Sequence, residues 1–357
     1  MKILFPKKSR ESIFEKILNN GAPKDFFYGC LSSEDFDINK TVIDTRPSKK
    51  ILHINFYDKI YNKIFKSNFS FKKAKYIFKY IPPNSKVISF VDWESLNTGL
   101  FHKYRKDLKL ICGFHGLINF FERTPENIYF DKKKIFTQAL GNMHHIFFFG
   151  PEDRKASIDK FGIPEKKTSV YRFGVDTGFW KKQIQSEKID VLSVGSDLNR
   201  NYSIFKKIEI NFNLNLITRL KIKGLEGEAK IISGSRNDPI LSNLDLKNYY
   251  NTSKIVVIPL KETLQPSGYS VALQAMACGK PVIMTKIKGL WDTSVLKNMK
   301  NIIFVKPNDP DELNEKIQLL LRNEKLRKNI SLEARKTAEN YYSLDRMNDD
   351  FKNLINI

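Results

Sequence analysis

The stretch Gln265–Asp292, QPSGYSVALQAMACGKPVIMTKIKGLWD, constrains this chain more than any other. It opens on a Pro-Ser-Gly turn, and Ser270–Cys278 continues as a helix-like run. Gly279 stops the helix where a residue of positive φ is wanted. Pro281 follows, and Val282-Ile283-Met284-Thr285 predicts a short buried strand. A helix start offers free backbone N–H groups and the positive end of a dipole, so it can hold a phosphate. Ser267, Gly268, Tyr269 and Ser270 occupy that start, and Gly268 lets a diphosphate approach the backbone closely. The same pattern also suits a helix–strand unit that only packs.

A chain of 357 residues exceeds what one core usually serves, so two domains are expected. At 41% apolar residues it is globular in composition. No run reaches the roughly 18 apolar residues of a membrane span. Met1–Phe5 is too short for a signal peptide and predicts a first strand. Cys30, Cys112 and Cys278 lack metal spacing and suit free thiols in a reducing, cytoplasmic setting. The net charge of +22 attracts anionic lipid, acidic polysaccharide or nucleic acid. Lys, Asn and Ile are abundant together, so compositional bias competes as the cause. Without zinc-finger spacing or an RNP-type aromatic motif, no nucleic-acid partner is expected.

The wording SGYSVALQAMACGKPVI closely resembles the nucleotide-sugar signature of family 4 (group 1) glycosyltransferases. The resemblance implies an α/β chain of two Rossmann-like domains facing a central cleft, the GT-B architecture. It is strong across Val191–Ser343 and general before Thr168. In that family an acidic residue, seven residues and a Glu precede Ala-Met-Ala. Here the Glu that holds the donor ribose falls on Gln274, and the first acid falls on Pro266. A Gln amide can still hydrogen-bond a ribose hydroxyl, whereas Pro266 offers no polar group. The implied division is an acceptor-side domain over residues 1–180, a donor domain over 181–343, and a helix over 344–357 returning to the first. Lys181–Lys188 serves as linker.

In chain order, Glu11–Asn20 predicts a helix, and Asp25–Leu31, Thr41–Asp44 and Ile51–Phe56 predict strands. Pro6-Lys7-Lys8-Ser9 replaces the family's glycine pair with a basic loop. Between Lys59 and Lys86 lysines interleave with aromatics, and Phe71, Ala74, Phe78 and Ile81 share one helical face. Such a helix suits either an anionic membrane surface or an ordinary crossover packed on a sheet. Lys86–Val91 ends at Asp92-Trp93-Glu94. Asp92 and Glu94 there face the crevice where open α/β sheets bind ligands. After the strand Leu108–Cys112, the resemblance gives His115 a place near donor sugar and acceptor. Glu122 and Arg123 are further cleft candidates. His144 and His145 are adjacent on a strand and face opposite ways, which excludes a shared metal.

Asp190–Val194 predicts the next strand, and Gly195, Ser196 and Arg200 follow it. Strand, glycine, then a cation suits a phosphate site, and Arg200 can grip a diphosphate through two parallel hydrogen bonds. Gly234 sits where relatives hold the nucleotide base. Glu262 is the carboxylate nearest upstream of Pro266 and replaces the missing acid if its loop folds inward.

These features imply sugar transfer from a UDP- or GDP-linked donor to a glycan or lipid-linked acceptor of the cell envelope. No metal or other cofactor is expected, because backbone amides, the helix dipole and Arg200 would neutralise the leaving diphosphate. A nucleotide-sugar-binding protein without turnover, or a sugar-nucleotide epimerase, would use the same fold.

Overall fold

The computed structural model describes residues 1–34, 36–45, 77–126, 131–234 and 240–357. The chain forms two compact units. The first joins Met1–Lys16, Tyr28–Arg172 and Asn348–Ile357; the second joins Ile17–Phe27 and Phe173–Met347. Both are layered α/β structures, each built on a parallel sheet.

The first sheet contains β1 (Lys2–Phe5), β2 (Val42–Asp44), β3 (Lys86–Ser89), β4 (Lys109–Phe114), β5 (His145–Phe148) and β6 (Thr168–Val170). Their order is β2-β1-β3-β4-β5-β6. Strands β4 and β5 are buried almost throughout, because helices cover both faces of a parallel sheet. The order reverses between β1 and β3, so residues just after these strands border a switch-point crevice.

The second sheet contains β7 (Ile189–Val194), β8 (Leu214–Ile217), β9 (Ala229–Ile232), β10 (Ser253–Ile258), β11 (Val282–Thr285) and β12 (Ile303–Val305). Its order, β12-β11-β10-β7-β8-β9, is the 3-2-1-4-5-6 arrangement of a doubly wound sheet read from the other edge. Here the switch point lies between β7 and β10. The loop after β7 carries Gly195 and Arg200, and the loop after β10 leads to the helix Tyr269–Ala277. Sheet order thus brings together the two phosphate-binding candidates that the sequence separates.

Several local expectations are corrected. Lys7–Leu18 is a helix, so Pro6-Lys7-Lys8-Ser9 turns straight into it instead of forming a basic loop. Asp25–Leu31 is no strand. It forms 3-10 turns at Asp25–Phe27 and Cys30–Ser32, and positive φ at Tyr28 (50°) and Gly29 (76°) excludes extended backbone there. Asp92-Trp93-Glu94 begins the helix Asp92–Phe101. The expected strand Ile51–Phe56 lies outside the described residues, as does most of the lysine- and aromatic-rich stretch. No helix of the described residues is long and apolar enough to cross a membrane.

The helix Leu344–Ile355 contributes Asp350, whose carboxylate accepts from the backbone and guanidinium of Arg172. Phe351 from the same helix stacks on Phe90.

Candidate functional site

In the second unit the loop after β7 is fixed from several directions. Tyr202 donates its hydroxyl proton to the Gly195 carbonyl at 2.8 Å. The backbones of Asn201 and Lys261 join this loop to the end of β10 through Pro259 and Asn199. Asn199 donates its side-chain amide to Ser267 Oγ at 2.7 Å and to Gln265 Oε1 at 3.2 Å. This bridge holds the β7 loop against the approach to the helix Tyr269–Ala277.

Arg200 is 5% exposed, and its Nε and Nη1 are buried with no hydrogen-bond partner among the described residues. A Cβ added to Gly195 would lie 2.1 Å from Nε, and one added to Gly268 would lie 2.9 Å from Nη1. The guanidinium is therefore wedged between two backbone segments that only glycine lets come so close. Both also have positive φ, 142° at Gly195 and 81° at Gly268. Gly268 is the N-cap of the helix, and no side chain caps its first turn. A desolvated cation beside an uncapped helix start concentrates positive potential on one spot. At the far end Arg335 donates to the Ala277 and Trp180 carbonyls, so the helix C-terminus also has its complementary charge.

Ser267, Tyr269 and Ser270 adjoin the start of this cradle helix, and Ser196 lies in the loop after β7. Ser267 is buried, and Tyr269 packs edge-on to Phe173 at 4.9 Å and near Trp291. Ser270 lies in the helix's first turn. Ser196 accepts from the Arg219 backbone at 2.9 Å. Gly234 ends the described residues at the exit of β9. Glu262 is exposed, and its Oε1 accepts from the amides of Thr263 at 3.0 Å and Lys288 at 2.8 Å. It braces its own loop, and nothing in this arrangement supports a reacting role.

Gln274 is 4% exposed and already engaged at both ends. Its Oε1 accepts from Tyr250 Oη at 3.3 Å, and its Nε2 donates to Asp25 Oδ2 at 3.2 Å. Asp25 is fully buried and also accepts from the Asp176 amide at 2.6 Å and Trp180 Nε1 at 2.7 Å. Burial pushes its carboxyl up to about 7, against the pull of these three donors. Sequence reasoning missed Asp25 and Asn199. Asp25 sat inside a predicted strand, and Asn199 had no motif to mark it.

In the first unit His115 follows β4, its ring stacked on Phe149 with centroids 4.0 Å apart. Its Nε2 lies 3.5 Å from Tyr28 Oη. Burial lowers its pKa, which the Asp92 carboxylate opposes. Asp92 accepts from the Gly116 amide at 3.0 Å; burial raises its pKa, which His115 opposes. Glu94 is 3% exposed. Arg10, from the helix after β1, lies 4.4 Å over the Phe5 ring and interacts electrostatically with Tyr28 and Glu94. Asp92, Glu94 and His115 therefore border the switch point of this sheet, joined by Arg10 and Tyr28, which the sequence did not single out. Glu122 and Arg123 end the helix Leu117–Arg123, whose first amides are held by buried Asp153. His144 and His145 bond separately, to the Leu110 amide and Ser169 Oγ.

Residues 239–337 match the family Glycosyl transferases group 1. The chain is 24% identical over 234 residues to the capsular polysaccharide biosynthesis glycosyltransferase CapM of Staphylococcus aureus, covering 63% of this chain and 59% of CapM. It is also 24% identical over 220 residues to the N,N'-diacetylbacillosaminyl-diphospho-undecaprenol alpha-1,3-N-acetylgalactosaminyltransferase of Campylobacter jejuni, covering 55% of this chain and 56% of that protein. The chain thus spans little more than half the length of these two relatives. The crystal structure of Anabaena HepE in complex with UDP and glucose superposes with a TM-score of 0.63 at 14% identity, covering 88% of this chain and 85% of HepE. At that identity the likeness is one of fold. The segment that matches the family spans the cradle helix, and the two Rossmann-like units have the fold of GT-B glycosyltransferases.

Proposed function

We propose that this chain transfers a sugar from a nucleoside-diphosphate sugar to a glycan or lipid-linked acceptor in envelope polysaccharide synthesis. The observation that carries the proposal is Arg200: a buried guanidinium with Nε and Nη1 unpartnered, wedged between Gly195 and Gly268 at an uncapped helix start. Burying such a group without a partner costs free energy that a diphosphate would recover. CapM and the Campylobacter transferase, which act in polysaccharide and undecaprenol-linked synthesis by name, support the acceptor class.

In this mechanism the diphosphate lies on Arg200 and the first amides of Tyr269–Ala277, with no metal required of the chain. As the bond to the sugar breaks, negative charge grows on the departing diphosphate. Preorganised donors in a desolvated cradle stabilise that charge without reorganising. His115, with Asp92 and Glu94 beside it, is assigned to the acceptor side. Asp92 tempers the loss of basicity that burial imposes on the imidazole, which suits it to accept the acceptor's hydroxyl proton.

The test is mass spectrometry of donor consumption across UDP-, GDP- and other nucleotide sugars, with and without glycan and lipid-linked acceptors. Transfer of at least one sugar is expected. Donor bound but never consumed would instead favour a binding protein without turnover. Gln274→Ala is expected to lower donor affinity by about 1 kcal/mol, roughly fivefold, through the broken link between Tyr250 and Asp25 behind the cradle helix. Equal donor titrations for parent and variant would remove Gln274 from the site.

A further inference from the structure

The second unit carries another hollow, of about 290 Å³, between the 3-10 helix Tyr202–Lys207, the loop after β8 and the loop after β10. Lys206, Lys221, Lys223 and Lys261 converge on it, over a floor that includes Leu220 and Ile222. Among the described residues no carboxylate lines it. All four lysines are exposed, and among the described residues none forms an ion pair. Lys261 donates to the Leu198 carbonyl at 3.3 Å, which holds its ammonium at the rim. The acid that senses Lys206 is Glu226, whose Oε2 is occupied by the Gly224 amide at 2.6 Å.

Four ammonium groups gathered around one concave surface repel each other, and a bound counter-ion relieves that repulsion. Lysine is a flexible point charge that binds phosphate without demanding a fixed geometry, so the ligand chemistry is one of closely spaced phosphate charges. We propose that this hollow is a second phosphate site, distinct from the Gly195–Arg200–Gly268 cradle, that takes a diphosphate group. Arg200 belongs to the wall of both. The group comes either free or as the head of a phosphorylated lipid; the lysines and the apolar floor suit both. The proposal goes beyond donor binding and does not require it.

The test uses the full chain and inorganic pyrophosphate, titrated calorimetrically. Lys206→Glu/Lys221→Glu/Lys223→Glu is compared with Lys133→Glu/Lys155→Glu/Lys166→Glu, an equal charge change at exposed positions of the first unit. The first triple variant is expected to lose pyrophosphate affinity by about tenfold or more, while the second retains it. Arg200→Ala is expected to keep one pyrophosphate-binding event. Equal loss in both triple variants would reduce the effect to net charge and overturn the proposal. So would undiminished binding by the first triple variant, absence of binding by the parent, or loss of all binding in Arg200→Ala. Melting curves of the triple variants control for folding. A second arm floats the parent with phosphatidylcholine vesicles with and without phosphatidic acid. Flotation that needs both phosphatidic acid and the three lysines identifies a lipid head; pyrophosphate binding without it identifies a free ligand. Failure of the donor proposal would show instead as absence of nucleotide-sugar binding by parent and triple variants alike.

Discussion

Arg200→Ala is expected to weaken binding of nucleoside diphosphates by about 1.5–3 kcal/mol, roughly 10- to 150-fold, while the chain stays folded. The side chain gives up a charge-assisted contact whose cost of burial the fold already bears. Nε and Nη1 have no partner among the described residues, so no hydrogen bond to these residues is lost from them when the guanidinium is removed. The melting temperature should therefore hold or rise even as affinity falls, which is the pattern of a group kept for binding and not for stability. Gly195→Ala is its structural counterpart. The new Cβ would sit 2.1 Å from Nε on backbone at φ 142°, so the guanidinium must leave the cradle. Its affinity loss should match that of Arg200→Ala, with added destabilisation from backbone strain. Calorimetry with UDP and GDP, beside thermal melts, measures both. Unchanged affinity for every nucleoside diphosphate in either variant would remove the cradle from the donor site.

This cradle was largely legible in the sequence because each half announces itself locally. A strand, a glycine and a cation lie within a few residues at Val194–Arg200, and a turn, a helix and a glycine lie within Pro266–Gly279. The apolar run of β10 identified a central parallel strand for the same reason. What lies behind the cradle was not legible. Asp25 and Gln274 are 249 positions apart, and no periodicity or spacing links residues so distant. The segment Asp25–Leu31 is rich in aromatic residues, which suits a strand. Yet its backbone is bent at Tyr28 and Gly29, and Ile17–Phe27 belongs with the second unit although it lies near the start of the chain. Glu262 was singled out as the carboxylate nearest upstream of Pro266, and its Oε1 accepts from the amides of Thr263 and Lys288. In the first unit, Asp92 and Glu94 were singled out from their place after a strand, and His115 from the family resemblance. Arg10 was not, because the residues expected to form a loop there begin a helix.

Asp25→Asn is expected to change how stability depends on pH. In the fold the carboxyl of Asp25 is pushed up to about 7 by burial, whereas an unfolded Asp keeps its ordinary value near 3.8. Between those values the folded chain binds the extra proton. Stability must then fall as pH rises through that window, by up to about 1.4 kcal/mol per pH unit, and level off above it. The physical cause is burial of the carboxylate, to which the nearby Asp176 charge adds, while the three hydrogen bonds pull the other way. Asp153 in the first unit is also pushed up to about 7 by burial, so the parent's slope is not due to Asp25 alone. Comparison with the variant cancels that second contribution. In Asp25→Asn one oxygen becomes an NH2 group facing donors, Trp180 Nε1 or the Asp176 amide, and only Gln274 can turn its amide to accept. At about pH 5, where the parent's carboxyl is neutral, the variant should be less stable by about 1–3 kcal/mol, the scale of a buried donor left unmatched. By about pH 8 the gap should narrow, because the parent then bears a buried charge that the variant lacks. Urea unfolding at the two pH values reads the difference directly. A gap that stays constant from pH 5 to 8 would mean that Asp25 does not titrate in this window. Since Gln274 sits on the cradle helix and donates to Asp25, the variant should also bind nucleoside diphosphate more weakly at pH 8, where refolded controls exclude a loss of native protein as the cause.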